Sequence, residues 1–545
     1  MSLSFTTDNT MTDTNNKTII EIHTKDTSNL KIPTEQTEII AKREPDANGN
    51  CCVTHGDEWL SFFRWDGNKN AKGLALSHIA SGSFTIASVF LSTALIDFAK
   101  VTAGCSVSEE DECDKRVYGI VKPSSLISIY LVILGFIASF FMPLVGALID
   151  STNLRRGIGR VSSMCICICL VSQTCFLSQS TWLVVALLQI LLAVFGSINL
   201  CVSYAYIPEL TPHEQVLSRY NASISVCFNL SVIVFLVTIT TVTTIFKTSS
   251  IQTAQIAMVY CSAVSIIFYG YSWGVLFQPQ PPKNVVPQVG NNDIPAETNF
   301  SKIQLLTYGL RRLWKTIVNV FSERRDLKWI LISRSLTQAA TIAMIASVIT
   351  YVESDLDLSS SSVGIGLLIM ISLAIPGNKL SVSMTRRFNP CLSLQLCFSL
   401  WIATILGIVI LVYDKNRKEH VILLYIIMAI WGIAVGWKEP TEKTLFSELI
   451  PQGHEAEMMG LYIFASHIFT WLPPLLFTAI NESNAVHIRA NIGFLAIYFV
   501  IGIILLVFVG DYNEAVTKNK EQVCQPEEKD EKYGTFTPTD EAFET

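Results

Sequence analysis

Few ionisable side chains stand inside the long apolar stretches of this chain, and each is costly there unless it faces a cavity or a partner. Arg334 and Gln338 are four residues apart in one stretch, so on a helix they share a face from which a guanidinium could clamp a carboxylate. The plainer alternative for Arg334 is a cation snorkelling to the membrane surface. A second stretch carries Trp431, Trp437, Lys438, Glu439 and Glu442. Lys438 and Glu442 can neutralise one another at i, i+4, which leaves Glu439 to take up a proton. His467 titrates near neutrality and suits a proton-coupled step, its alternative being a structural, hydrogen-bonded histidine. Asn199 and Tyr204, with His78 further upstream, are weaker additions. The candidate solute-binding set is therefore Arg334, Gln338, Asn199, Tyr204, Trp437 and Glu439, and the candidate proton-coupling pair is Glu439 and His467.

Other chemistries have little support. Cys165, Cys167 and Cys169 alternate, and on a helix residues two apart point to different sides, so they do not converge on one metal ion. No phosphate-binding loop or nucleophile-base set occurs, so neither an enzyme nor a resident cofactor or metal is expected.

The elements that must hold these residues are membrane helices. The 545 residues are 50% hydrophobic and 15% charged, where a soluble domain carries about 25% charge. The net charge of -6 is modest and spread over tails and loops, which excludes nucleic acid as a partner. Spans are expected at 74–96, 124–148, 159–178, 182–206, 220–246 and 254–277, then at 329–352, 360–380, 391–413, 420–446, 457–480 and 491–510. The fold class is thus an all-α membrane protein of about twelve transmembrane helices in two halves of six. The expected divisions are a polar N-terminal tail over 1–72, a first half over 73–277, a linker over 278–328, a second half over 329–510 and a charged tail over 511–545. No signal-peptide pattern opens the chain, so the first span is expected to direct insertion. Kinks or helix ends are expected at Pro143, Pro376, Pro440, Pro473 and Pro474.

Lysine and arginine concentrate in the loops that follow spans two, six and eight, which places both termini in the cytosol. The stretch 302–325 has apolar residues near helical spacing with cations between them, and reads as an amphipathic helix on the membrane face or a cytosolic helix packed on the bundle. Cys105 and Cys113 flank an acidic loop on the opposite side, where a disulfide is an open alternative. Two short matches to sorting signals, 35–40 and 533–536, nudge toward an endolysosomal or vacuolar address, and the sequon at Asn481 lies close to the membrane.

The run GALIDSTNLRRGIGR from Gly146 to Arg160 resembles the loop signature of the major facilitator superfamily. Gly146 allows close helix approach, and Asp150 with Arg155 and Arg156 would form a cytosolic latch holding the halves together in one state. A positive-inside turn with an incidental aspartate is the alternative. GNKLSVSMTRRFNP, residues 377–390, repeats a glycine and an arginine pair in the second half, as internal repetition would require. In bundles of this kind spans one, four, seven and ten resemble the cavity-lining set, which selects the candidates above except His467, in span eleven.

A narrower resemblance is to the autophagy-related vacuolar effluxers. It is carried by YIPELTP (206–212), LIPQGHEAEMMGL (449–461), FASHIFTWLPPL (464–475) and the opening of span twelve at 488–493, within an organisation matching roughly residues 59–512. Ser466, His467 and Ile468 depart from that family's pattern in span eleven, as does the first span. The resemblance implies export of small neutral amino acids, products of autophagic breakdown, from vacuole or lysosome to cytosol by alternating access. The partners so implied are the lipid bilayer, a small solute and possible protons. A major facilitator carrying another solute, or a transport-dead receptor or scaffold, remains the alternative.

Overall fold

The computed structural model describes residues 63–105 except 66, 117–119, 133, 137, 141–146, 148–149, 154–279, 317–354, 360–412, 418–451, 454–473 and 488–524. Five long helices form the first half: α1 (Lys69–Thr102), α2 (Arg155–Phe176), α3 (Trp182–Tyr204), α4 (Glu214–Phe246) and α5 (Ser250–Tyr271), which runs into a π-helical turn, Ser272–Leu276. The expected second span is described only in part, with helix over 141–146. The second half comprises α6 (Arg325–Ser354), α7 (Ser360–Phe388), α8 (Pro390–Leu411), α9 (Lys418–Leu449), α10 (Glu455–His467) and α11 (Ile488–Val507), followed by α12 (Tyr512–Cys524).

Among the described residues, eight helices are long and apolar enough to cross a membrane, or nine if α11 and α12, bent by 58°, count as one span. A helix of 22 residues such as α8 rises about 33 Å, enough for the roughly 30 Å hydrocarbon core. Helix α6, rich in Ser and Thr and carrying Arg334, is not among the eight; Ser333, Arg334, Ser335, Thr337 and Ser347 on it are buried. The outward surface is apolar instead, with Leu187, Ile267, Ile410 and Val507 all exposed.

Local sequence sets several helix starts. Asn68 accepts a hydrogen bond from the Ala71 amide at 3.1 Å to open α1, and Ser249 and Gln252 form a capping box at α5. Asn389 caps α8 with Pro390 in its first turn. Pro376 and Pro440 lie inside α7 and α9 without ending them, while α10 stops at His467, six residues before Pro473. Helix α12 occupies the beginning of the expected charged tail.

Within the first half α1 packs on α4 and α5, and α2 on α3 and α5; within the second, α6 packs on α11, and α9 on α7 and α8. The α7–α9 crossing is the tightest kind: a Cβ on Gly436 would lie 2.0 Å from the Ala374 carbonyl oxygen, and one on Gly377 would lie 2.3 Å from that of Ile433. The halves meet where α4 touches α7 and α9, and where α3 touches α10. Glycine again permits the approach, since Gly146 abuts the backbone of Ala456 and Glu457, and Gly460 abuts that of Met142 and Pro143. Cys105 is disulfide-bonded. Cys113, Asp150, Asn481, both sorting matches and most of 302–325 lie outside the described residues.

Candidate solute-binding site

Helix α9 carries two charged pairs at i, i+4 spacing, Lys438 with Glu442 and Glu439 with Lys443, set about 100° apart around the helix. The first pair faces α6. Lys438 Nζ donates to Gln338 Oε1 at 2.7 Å and lies 3.3 Å from Glu442 Oε1. Arg334 Nη1 forms a hydrogen-bonded ion pair with Glu442 Oε2, and its Nε donates to Ser466 Oγ of α10 at 2.9 Å. The guanidinium also lies 3.6 Å over the ring of Tyr462. Both Arg334 and Glu442 are buried, and the void beside them is ≈ 10 Å³, room for no more than a water.

The second pair faces the first half. Lys443 is buried with its ammonium 4.5 Å over the ring of Tyr204, from α3. Tyr204 in turn stacks on His78 of α1 at 5.8 Å and meets Tyr462 edge-on at 6.3 Å. Glu439 is the open member: 37% of its side chain is exposed against 4% for Glu442, and its Oε2 is 3.8 Å from Arg334. Three cations thus face two carboxylates, and all five belong to the second half; the first half contributes the uncharged Tyr204 and the imidazole of His78. Such an arrangement can hold a polar solute with an anionic group, and can take a proton at Glu439.

Of the residues singled out in the sequence, Arg334, Gln338, Tyr204 and Glu439 are brought together here. Trp437 turns away, its indole N–H donating to Ser393 Oγ on α8 at 3.0 Å. Asn199 ties α3 to α2 through the Gly159 carbonyl and Ser162 Oγ. His467 Nδ1 donates to the Ile463 carbonyl of its own helix at 2.9 Å, as a structural histidine would. Gly146 lies at the contact between halves, whereas Arg155 pairs with Glu209 at 2.9 Å and Arg156 donates to the Gly274 carbonyl at 2.8 Å, both within the first half. Lys443 and Tyr462 were not among the candidates, although the spacing of Glu439 and Lys443 was readable and matches that of Lys438 and Glu442.

The family model for the Major Facilitator Superfamily matches residues 74–472. The chain belongs to that superfamily. Two halves around a polar centre are its architecture here, and solved structures agree. The human organic anion transporter MFSD10 is 14% identical with a TM-score of 0.55, over 80% of this chain and 98% of that one. The proton:xylose symporter XylE is 12% identical with a TM-score of 0.57, over 81% of this chain and 94% of that one. At these identities the likeness is of fold. In sequence the chain is similar to Autophagy-related protein 22 of Yarrowia lipolytica (strain CLIB 122 / E 150), 28% identical over 182 residues. That match spans 31% of this major facilitator and 29% of the relative's length. The chain is a multi-pass membrane protein of that superfamily.

Proposed function

We propose that this major facilitator exports small neutral solutes, amino acids released by autophagic breakdown foremost, from the vacuole or lysosome to the cytosol by alternating access. The observation that carries the reading is the buried charged cluster of Arg334, Lys438, Glu439, Glu442 and Lys443 at the level where α3 and α1 meet the second half. A zwitterion offers one group of each sign, and the site has an accessible carboxylate and a cation set against an aromatic ring. The autophagy-related relative supports the substrate class and the compartment. Glu439, the more open of the two carboxylates, is the proton-coupling candidate. Both termini are assigned to the cytosol from the distribution of Lys and Arg.

A second reading, a carrier for an organic anion, is favoured by one observation: the cluster holds three cations against two carboxylates. Proteoliposomes holding the purified protein decide between them. Saturable efflux of labelled neutral amino acids, altered by an imposed pH gradient, supports the first. Folded protein that moves an organic anion and no amino acid sinks it.

A further inference from the structure

The cluster is charged wholly from the second half, yet its grip on the first half runs through one cation. Lys443 lies over Tyr204, and among the described residues no carboxylate is within ion-pair distance of its ammonium. Glu439, four residues earlier on the same face, is drawn to Arg334. The next residue, Thr444, accepts a hydrogen bond from Asn221 Nδ2 of α4 at 3.0 Å. One turn of α9 therefore holds α3 and α4 with an ammonium on a ring and one neutral hydrogen bond. Arg334, by contrast, is fully engaged by Glu442, Ser466 and Tyr462 inside the second half.

A carboxylate is a better partner for a buried ammonium than a phenol ring, because the bond is charge-assisted and neutralises the cation. We propose that Lys443 is an exchangeable tie between the halves. With no solute bound, its ammonium rests on Tyr204 and holds the first half; a carboxylate on an entering solute takes the ammonium from the ring and frees the first half to move. Arg334, already paired, keeps the cluster assembled and does not bind the solute's acid group. The inference rests on the carrier reading and names the solute group that triggers movement.

Cys201 supplies a native reporter. It is fully buried at the contact between halves, its Sγ 3.9 Å from the Ala456 carbonyl oxygen. The rate at which N-ethylmaleimide alkylates Cys201 in the purified full-length protein, read by peptide mass spectrometry, follows opening at that contact. Lys443→Gln and Tyr204→Leu should each raise the rate about threefold or more, since either removes the tie. Lys443→Arg, which keeps a cation, should label at close to the wild-type rate and so show that the fold tolerates change there. Saturating L-alanine should accelerate labelling of the wild type; L-alaninamide, which lacks the carboxylate, should not; and Lys443→Gln should abolish the response to alanine. Wild-type rates in both Lys443→Gln and Tyr204→Leu, an equal response to alanine and its amide, or no response to alanine overturns the proposal. The carrier reading fails by a different measurement, the absence of saturable flux in proteoliposomes.

Discussion

Gly146 and Ala456 belong to opposite halves and approach so closely that a Cβ on Gly146 would stand 2.3 Å from the Ala456 carbonyl oxygen. The obstacle is backbone, which cannot swing aside as a side chain could. Gly146→Ala should therefore push the halves apart at this contact, at a cost on the order of 1–3 kcal/mol to the state described here. Faster alkylation of Cys201 with an unchanged overall fold is the expected result; labelling at the wild-type rate would show that the contact does not govern this state.

Removing the Arg334 side chain leaves Glu442 buried with Lys438 as its remaining cation. Arg334→Ala should destabilise the protein by about 3–5 kcal/mol and abolish transport. Arg334→Lys keeps the charge and loses the planar fork that reaches Glu442 and Ser466 together, so flux should fall while folding survives. Thermal unfolding in detergent, read beside flux, separates the two effects. Full flux in Arg334→Lys would remove the forked geometry from the account.

Glu439→Gln changes a half-open carboxylate that lies 3.8 Å from its nearest cation, so stability should move by no more than about 1 kcal/mol. Transport driven by an imposed pH gradient should be lost while exchange of labelled for unlabelled solute persists. If the gradient still accelerates efflux in this variant, Glu439 is not the proton carrier.

Trp437→Phe deletes the donor to Ser393 on α8 and touches nothing in the cluster. The expected outcome is a stability loss of about 1 kcal/mol with the KM for solute unchanged. A shift in KM would place Trp437 at the solute after all.

Gly436→Ala brings a methyl group against the Ala374 carbonyl oxygen at the α7–α9 crossing. Because α9 carries four of the five cluster charges, displacing it should depress flux and stability together, about 1–3 kcal/mol for the latter. Flux lost at wild-type stability would point to a hinge there.

The membrane class, the two halves and most helix positions were legible because apolar runs of span length leave few alternatives to a helix. Gly146 stood out as a glycine that allows close helix approach, and it does abut the Ala456 backbone. The cluster was legible only in part. Arg334 and Gln338 share a face by spacing alone, and so do Lys438 and Glu442, but spacing does not say which face of α9 meets α6. That choice is made by packing, which turns Trp437 toward Ser393 and Lys438 toward Gln338 on adjacent positions. Asn199 and His467 were equally polar in sequence, but a tertiary contact takes the Asn199 amide to the Gly159 carbonyl, and His467 donates to the Ile463 carbonyl one turn back in its own helix. Lys443 escaped notice because its partner is an aromatic ring on a distant helix, and no sequence spacing pairs residues 204 and 443.

The confinement of all five charges to one half has an electrical consequence. If the halves rock as proposed, Arg334, Lys438, Glu439, Glu442 and Lys443 travel together, and this cluster would carry one surplus positive charge through whatever part of the transmembrane field the second half sweeps. A whole charge crossing the field is worth about 2.3 kcal/mol per 100 mV. The return of the unloaded carrier should thus be voltage-sensitive, and a bound anion, by cancelling that charge, would make the loaded step electrically silent.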